Sequence, residues 1–301
     1  MHLWGKIEET ADAVEYHPLV LHMVDVGLVA GELWDSLLTG TVKASLSDSF
    51  GISQCEMRET IIRLAALHDL GKATPSFQRK SPRARKLLED MGFGFNGSIE
   101  QYHGDLTAHL VDDHALGLVG LTLTGNKPLF RVKMLLGGHH GAYPEVRNLR
   151  RIIPTDTGVG KWDDERTAIL MDLFAHLGSR DNVSVKIEPT TGANFLVLSG
   201  LISVADWIAS AVNLFPFAGD IVDIADYVPI ARARAESAIK RLNWPTQCSI
   251  ERRDLQSMFS FIDAPYPLQK TVEGLIEELT APGIVIIEAP MGEGKTEAAL
   301  V

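Results

Sequence analysis

The sequence predicts a mainly α-helical domain over residues 1–243, followed by the truncated start of an α/β domain over residues 244–301. Apolar residues recur at helical spacing through most of the first domain, which is the pattern of packed helices. Several of these apolar runs end in histidine or aspartate. After Trp244 the pattern changes to a linker, a helix to about Leu279, and a β-branched run before a glycine-rich loop. That order is typical of a phosphate-binding α/β domain.

Composition narrows the class of protein. The chain has 301 residues and is 46% hydrophobic, which predicts a large packed core. The net charge of −11 argues against nucleic-acid binding by the whole surface, although bound metal ions can supply local positive charge. Cys55 and Cys248 form no metal motif and are too few for a disulfide framework, which suits a reducing cytoplasm. The N-terminus shows no signal-peptide pattern.

The stretch from Ile61 to Lys72 organises the first domain. An apolar helical run, predicted over about 56–70, ends in the adjacent pair His68-Asp69, and Gly71 follows at the position of a helix C-cap. Imidazole nitrogen and carboxylate oxygen both bind divalent transition metals. Neighbouring residues on a helix point about 100° apart, so this pair can hold one metal with the histidine and reach a second with the aspartate. A polar helix end beside solvent is the alternative interpretation.

A second histidine lies within the first predicted helix, which follows Pro18 and runs to about residue 35. His22 shares an inward face with Val26 and Leu33, so it is either a core histidine or a metal ligand. His17 precedes the helix and is interpreted as structural or, at most, substrate-facing.

Two later segments add further histidines. His103 lies just before a helix that is predicted to continue past His114, where its side chain can face a pocket; His109 and His114 are interpreted as ordinary helix positions. An apolar helix over about 129–137 ends in the pair His139-His140, which glycines flank. Adjacent histidines after an apolar run favour a functional interpretation.

The segment from Phe195 to Phe215 is apolar and about long enough to span a membrane. Asp206 lies near its centre, and an aspartate in mid-bilayer costs roughly 2.5–3.5 kcal/mol. We therefore predict a buried helix over 195–214 and no membrane span. A buried carboxylate needs a cation, a metal or hydrogen bonds.

Together these positions form a set of seven nitrogen and oxygen ligands without a thiolate. Seven ligands suit two metal ions bridged by one carboxylate, and Asp69 is the natural bridge. A metal pair can activate water and stabilise the attacking and leaving oxygens of a phosphoester. The predicted reaction is phosphodiester hydrolysis, in which Asp69 is catalytic and Lys72 neutralises the phosphate or orients Asp69. The predicted metal ligands are His22, His68, Asp69, His103, His139, His140 and Asp206.

This order of residues, over about 14–215, resembles the HD superfamily of metal-dependent phosphohydrolases. The resemblance implies an all-helical fold in which His22, His68, Asp69 and Asp206 hold one metal. Asp69, His103, His139 and His140 would then surround the second. The choice of His103 over His109 rests on the motif His-Gly-x-x-Thr-Ala. Nitrogen and oxygen ligands admit Mn, Fe, Co, Ni or Zn.

The remaining segments of the first domain are predicted from their local sequence pattern. Residues 36–55 are interpreted as a connection and 73–98 as a loop-rich, partly basic excursion that borders a substrate groove. Residues 142–190 are mixed, with one helix over about 163–177. A periodic helix over 229–242 closes the domain.

The last sixty residues predict a nucleotide site. Residues 283–288 are predicted to be a buried strand that feeds the loop Ala289–Thr296 (a Walker A motif) and then a helix. Backbone amides there cradle phosphates, Lys295 reaches the β- and γ-phosphates, and Thr296 binds Mg²⁺. Ala replaces Gly at the first motif position. The predicted ATP-binding residues are Gln269, Gly292, Gly294, Lys295 and Thr296, and the piece as it stands is not expected to hydrolyse ATP.

An HD domain followed by a helicase-like P-loop resembles the nuclease-helicase family of type I CRISPR systems; Ala289 and the position of Gln269 resemble superfamily 2 helicases. The resemblance implies an HD nuclease domain over 1–243 and a linker with the start of a RecA-like domain over 244–301. It implies single-stranded DNA as substrate, the RNA-guided Cascade complex as partner, and ATP with Mg for the helicase. Two alternatives stay open: a phosphohydrolase of small nucleotides, and a non-enzymatic module that metal merely stabilises.

Overall fold

The structure is a computed structural model that describes residues 3–9, 14–96, 99–188, 192–218, 221, 223–244, 254–279 and 285–300. The chain divides into two compact units, Met1–Thr246 and Gln247–Val301. The prediction of a mainly α fold is confirmed. The strands of the first unit are β1 (Trp4–Glu9), β2 (Val14–Pro18), β3 (Leu121–Gly125) and β4 (Val183–Ile187). Its helices are α1 (Leu19–Ser36), α2 (Gly40–Phe50), α3 (Gln54–Leu67), α4 (Pro75–Gln78), α5 (Pro82–Asp90), α6 (His103–Leu110), α7 (Asp113–Leu118), α8 (Pro128–Gly137), α9 (Val146–Leu149), α10 (Pro154–Thr157), α11 (Lys161–His176), α12 (Gly192–Ser210) and α13 (Ile224–Leu242).

Helix α1 lies at the centre of the first unit. It packs against α3, α12 and α13, and its side chains are buried on nearly every face. A helix that is apolar all round is stable in water only when other elements surround it. Leu21, Val24 and Leu28 therefore form the middle of the core, and any polar residue on α1 is carried into the interior.

The prediction that residues 36–55 are a connection is wrong, because α2 fills much of it. The hydroxyl of Thr39 caps the N-terminus of this helix, and Gly51 ends it with a φ of 65°. Leu46 and Phe50, four residues apart, are buried against the core. Serines between these apolar positions hide the helical spacing from a pattern search.

The excursion over 73–98 contains two short helices, α4 and α5, so it is more ordered than predicted. Pro75 and Pro82, which suggested loops, occupy the first turn of each helix, where proline is well tolerated. The hydroxyls of Thr74 and Ser81 cap the two N-termini.

The prediction that one helix continues from His103 past His114 is wrong. Helix α6 ends at Leu110, and a new helix, α7, begins at Asp113. The break occurs because the carboxylate of Asp112 accepts a hydrogen bond from the Ala115 N–H at 2.8 Å, which starts the second helix.

Strands β3 and β4 pair in parallel, with Leu121 opposite Val183, and neither is among the predicted elements. Each is only five residues long, too short for its alternation to stand out. Buried Arg63 on α3 holds the pair in place, because its guanidinium donates to the carbonyls of Gly120 and Asp181.

Strands β1 and β2 form an antiparallel hairpin at the start of the unit. The register shifts between Trp4 and Lys6, so Gly5 is the extra residue of a bulge. Trp4 pairs with Pro18 and Lys6 with His17. Bulges redirect side chains and are frequent beside functional sites.

Helix α12 begins three residues earlier and ends four earlier than the predicted 195–214. By length and composition it could cross a membrane, with a mean hydropathy of 1.5. Its buried residues, among them Leu198, Ile202 and Ala205, pack into the core of the first unit beside α1. Only 44% of the helix is buried, and Leu196 and Trp207 are more than 60% exposed, so one face packs into the core and the prediction of a fully buried helix is wrong.

The described part of the second unit contains α14 (Leu255–Met258), α15 (Pro267–Glu278) and α16 (Lys295–Ala298). The predicted strand over 283–288 is not observed at its described residues: 285–288 are irregular, and Ile286 is 80% exposed. A strand requires a partner for its backbone hydrogen bonds, and no described segment pairs with this one. Residues 283–284 of that prediction and 245–248 of the predicted linker lie outside the described residues.

Candidate metal centre

Helix ends bring the predicted ligands of the first unit together. His22 lies on the first turns of α1, His68 caps the C-terminus of α3, and Asp69 follows at once before a short 3₁₀ turn. His103 begins α6, and His139-His140 follow α8. The seven predicted ligands, called the metal cluster below, converge around the carboxylate of Asp69.

The Oδ2 atom of Asp69 faces two histidines of the core. The Nε2 atoms of His22 and His68 each lie 3.2 Å from it. The Oδ1 atom of Asp206 lies 3.4 Å from Nε2 of His22 and 3.6 Å from Nε2 of His68. Two imidazoles and two carboxylates thus share one small volume, and all four side chains are buried.

The Oδ1 atom of Asp69 faces a second group of histidines. It lies 3.4 Å from Nε2 of His103 and 3.6 Å from Nε2 of His139. The Nε2 atoms of His103 and His140 are 3.0 Å apart, so His140 joins the same group. The side chains of His103 and His140 are 12% and 37% exposed, so this half of the cluster is open to solvent. Asp69 therefore has the two-sided geometry of a bridging ligand.

Unpaired atoms show that the metal cluster fits cations. Within the described residues, the Nε2 atoms of His22, His68 and His139 and the Oδ1 atom of Asp69 are buried and make no hydrogen bond of good geometry. Buried polar atoms almost always have partners, so a cluster of exceptions needs an explanation. The cluster contains three groups of nitrogen and oxygen atoms, each close enough to bind one ion. Divalent transition metals bind such atoms.

Main-chain oxygens fix two of the imidazole rings. The Nδ1 atom of His68 lies 2.7 Å from the carbonyl oxygen of Ala65, and Nδ1 of His139 lies 2.6 Å from that of Leu136. A proton on each Nδ1 leaves Nε2 as the free lone pair, directed into the cluster. Such partners are typical of metal-ligating histidines.

Close backbone contacts at two glycines bring the helix ends together. A Cβ atom on Gly71 would lie 2.1 Å from the carbonyl oxygen of His103, and one on Gly104 would lie 2.4 Å from that of Gly137. Only glycine allows such approaches. The hydroxyl of Thr107 accepts from the N–H of Gly71 and donates to the carbonyl of His68, which ties α6 to the His68-Asp69 turn.

Lys72 and Ser210 contact the two carboxylates. The ammonium group of Lys72 lies beside the cluster and forms an ion pair with Oδ2 of Asp69 at 2.6 Å. The hydroxyl of Ser210 donates to Oδ1 of Asp206 at 3.0 Å. Each carboxylate is thus held in one orientation.

Electrostatics keep most of the cluster in the form that binds metal. Burial lowers the pKa of His103 to about 3 and that of His139 to about 4. Burial opposes a charge on Asp69, but His68 and Lys72 hold the pKa of this carboxyl well below its usual range. Burial also opposes a charge on His68, yet Asp69 and Asp206 raise its pKa to about 9. His68 must therefore release a proton when a metal binds.

Three predicted non-ligands lie outside the cluster. His109 and His114 are exposed. His17 is fully buried and does not face solvent; its Nε2 lies 2.8 Å from Oδ2 of Asp25, which also accepts from the Tyr227 hydroxyl. His17 is thus part of a structural network behind α1.

Sequence reasoning missed the roles of several polar residues around the cluster. Lys6 is largely buried, its ammonium donates to the carbonyl of Ala209 at 2.6 Å, and burial lowers its pKa to about 8. Thr107 and Ser210 contact the backbone or side chains of the cluster, and Gln78 donates to the carbonyl of Lys72 beside it. Serine, threonine and glutamine are common on any surface, so their spacing carries no signal for this role.

The second unit contains a cavity of about 620 Å³ that the predicted ATP-binding residues line. The buried amide of Gln269 accepts from the N–H of Tyr266 at 2.8 Å and donates to the carbonyl of Gly294 at 3.2 Å. The ammonium of Lys295 donates to the loop carbonyls of Ala289 and Pro290. The structure thus brings Gln269 to the loop; Gly292, Gly294, Lys295 and Thr296 complete the lining with it.

Comparison with known proteins gives one consistent family. A family model described as the HD domain of Cas3 matches residues 4–215. The CRISPR-associated endonuclease/helicase Cas3 of Thermus thermophilus is 31% identical over 99% of this chain and 31% of its own length. The corresponding nuclease/helicase of Streptococcus thermophilus is 28% identical over 99% of this chain and 34% of its length. The chain spans about a third of the length of these relatives.

Solved structures agree with this result. A crystal structure of a CRISPR-associated protein has a TM-score of 0.75 and 32% identity, and the match covers 99% of this chain and 33% of that one. The HD domain of Thermus thermophilus Cas3, determined in the presence of Ni²⁺, has a TM-score of 0.52 and 26% identity. That match covers 79% of this chain and 90% of that domain.

Proposed function

The chain belongs to the Cas3 HD-domain family, and on that premise we propose that its first unit is a metal-dependent nuclease that cleaves single-stranded DNA in CRISPR interference. The observation that carries the proposal is the two-sided contact of Asp69, whose Oδ2 faces His22 and His68 while Oδ1 faces His103 and His139. One carboxylate between two ligand groups is what a pair of ions requires.

His22, His68, Asp69 and Asp206 would hold one divalent transition metal ion. Asp69, His103, His139 and His140 would hold the other. A bound pair of Mn, Fe, Co, Ni or Zn ions supplies activated water and charge stabilisation for phosphoester hydrolysis.

Lys72 would contribute to catalysis directly. A lysine ammonium has three N–H groups; two of them are directed to Asp69 and to the carbonyl of Gly5. The third is available for an oxygen of the scissile phosphate. The partly exposed His103 and His140 indicate the side from which a phosphodiester enters.

The second unit supports a polymeric substrate. The cavity that Gln269, Lys295 and Thr296 line suits a nucleoside triphosphate, which a translocating helicase would consume. In the whole protein we propose an ATP- and Mg-dependent helicase that feeds a DNA strand to the nuclease. Recruitment by the RNA-guided Cascade complex, in the cytoplasm and without a membrane, completes the proposal; a Cascade-type surveillance complex is among the similar structures.

A substrate panel tests the proposal. The purified chain is incubated with circular single-stranded DNA, dNTPs or cyclic nucleotides, each with Mn²⁺, Co²⁺, Ni²⁺ or Mg²⁺, with chelator as the control. We expect cleavage of the DNA circle with a transition metal and none with chelator. Turnover of mononucleotides alone would favour a small-nucleotide phosphohydrolase instead. Metal bound without any turnover would favour a non-enzymatic module.

A further inference from the structure

Gln78, at the end of α4, makes three hydrogen bonds to main-chain groups although it lies outside the metal cluster. Its Oε1 accepts from the N–H of Trp4 at 3.2 Å. Its Nε2 donates to the carbonyl of Trp4 at 2.8 Å and to that of Lys72 at 3.0 Å. The side chain is fully buried, so both of its donors and one acceptor are used in a dry environment.

These bonds connect the main chain of Lys72 to the strand segment that its ammonium contacts. The ammonium of Lys72 lies 3.2 Å from the carbonyl oxygen of Gly5, which follows Trp4 in the bulge of β1. Gln78 thus holds the main chain of Lys72 directly and the contact point of its ammonium through Trp4. The ring of Trp4 packs on Phe77, the neighbour of Gln78, at 4.7 Å between centroids, which stiffens the same connection.

The bulge at Gly5 also packs closely against the start of α1, which carries His22 of the metal cluster. A Cβ atom on Gly5 would lie 3.2 Å from Cβ of His22 and 3.2 Å from Cα of Leu19. The strand therefore lies directly against α1, and its carbonyl has little freedom to move away from Lys72. A lysine side chain loses rotamer freedom when its ammonium is held in one place, so a fixed ammonium depends on such contacts.

We propose that Gln78 is a positioning residue for Lys72, holding both ends of its side chain so that the ammonium rests on Asp69 before substrate arrives. The inference rests on the proposed nuclease function, because the role of Lys72 is to meet the scissile phosphate. Gln78 itself does not touch the substrate. Its effect is therefore expected in kcat rather than in KM.

A double-mutant cycle tests this role. Gln78→Met keeps the length of the side chain and removes all three hydrogen bonds. With the transition metal that supports cleavage, we expect kcat on single-stranded DNA to fall about tenfold, with KM and bound metal unchanged within about twofold. In a Lys72→Ala background the same substitution should change kcat by less than about twofold, because its target is absent.

The matched control is Thr60→Val on α3. Thr60 is as buried as Gln78, and its hydroxyl donates to the main-chain carbonyl of Glu56 at 2.8 Å, away from the cluster. This isosteric change is expected to leave kcat unchanged. If Gln78→Met does not fold, Gln78→Glu replaces it, since a buried, protonated Glu keeps the acceptor for Trp4 and has one donor in place of two.

Several results would overturn the inference. They are an unchanged kcat in Gln78→Met, or an equal loss with and without Lys72, which would show a purely structural role. If Lys72→Ala has no measurable activity, a crystal structure of the folded Gln78 variant decides. An ammonium still within hydrogen-bond distance of Gly5 and Asp69 contradicts the proposal, and a displaced one supports it. If the wild-type chain cleaves no DNA, the proposed function fails, and the same crystal structure still decides whether Gln78 positions Lys72.

Discussion

The metal cluster and the loop over 289–296 are built in opposite ways. The cluster joins residues from His22 to Asp206, which five different helices (α1, α3, α6, α8 and α12) deliver at their ends or on one face and which core packing fixes. The loop depends on local sequence: the residues that line its cavity lie between Phe261 and Glu297. One site is assembled by the whole fold and the other by a short segment.

The two sites also differ in how their polar atoms are satisfied. The buried Nε2 atoms of the cluster have no hydrogen-bond partners in the part of the chain that the structure describes, whereas the ammonium of Lys295 donates to carbonyls of its own loop. A metal would therefore complete the cluster, but a nucleotide would have to replace bonds that already exist. Metal binding should stabilise the first unit strongly, and loss of a single ligand atom should weaken metal binding by the whole cluster.

The largest expected effect follows from removing the bridge. Asp69→Ala eliminates the carboxylate that both groups of histidines face, so cleavage of single-stranded DNA should fall by more than about a hundredfold. This loss exceeds the roughly 10- to 100-fold loss that is typical when a residue that only hydrogen-bonds to a metal ligand is changed. Bound metal, measured by elemental analysis, should fall as well. The control is Asp35→Asn, a surface aspartate that pairs with Arg58 and should have no effect. Retained activity in Asp69→Ala would remove this residue from the site.

The second prediction concerns pH in the metal-free protein. The pKa of His68 is about 9 in the folded state against about 6.5 in the unfolded chain, so its stabilisation is complete below pH 6.5 and is lost as pH rises through 9. Between pH 7 and 8 the loss of the His68 proton should by itself lower the melting temperature of the chelator-treated protein by roughly 2 °C.

Two controls sharpen this prediction. His68→Asn should remove this fall and leave only the rise with pH that Lys6, His103 and His139 contribute through their lowered pKa values. Added metal should reverse the fall, because metal ligation requires neutral imidazoles and therefore strengthens as pH rises. A melting temperature that rises with pH in the metal-free wild type would contradict the assignment of the extra proton to His68.

The third prediction addresses the loop. Lys295→Ala should weaken binding of a fluorescent ATP analogue with Mg²⁺ by about tenfold or more, because a charged hydrogen bond to phosphate is lost. The ammonium of Lys295 already donates to two loop carbonyls, and a bound phosphate replaces only part of those bonds. The loss of affinity is therefore expected to be smaller than the loss of activity in Asp69→Ala. Lys270→Ala, an exposed lysine on α15, is the control. Equal affinities in wild type and Lys295→Ala would show that the cavity does not bind triphosphate through this residue.

The sequence predicted the convergence of the cluster because most of its ligands follow or lie within an apolar helical run, and His103 begins a helix. An apolar helix must be buried, so polar residues at its end, such as His68 and His139, are carried to an interior. Asp206 was predicted in the same way, as a carboxylate within an apolar helix, and it lies on the face of that helix that packs into the core. The indication of a site therefore came from polar residues next to or within apolar segments.

The residues that position these ligands gave no such signal. Gln78 and Ser210 are ordinary polar residues whose contacts, to Trp4 and Asp206, join segments far apart in the sequence. Helix α2 and strands β3 and β4 were missed because their apolar positions are few and interrupted. The strand over 283–288 was predicted from composition alone, but pairing also requires a neighbour that composition does not supply.

The smallest expected effect distinguishes His103 from His109, two histidines on the same helix. His103 lies at the start of α6 with its Nε2 3.4 Å from Asp69, whereas His109 is exposed near the end of the helix. His109→Ala should therefore change kcat and bound metal by less than about twofold, as expected of a surface position. His103→Ala, measured alongside it, should lower both. A large loss in His109→Ala with little loss in His103→Ala would exchange their roles and would show that α6 is rotated in the working enzyme.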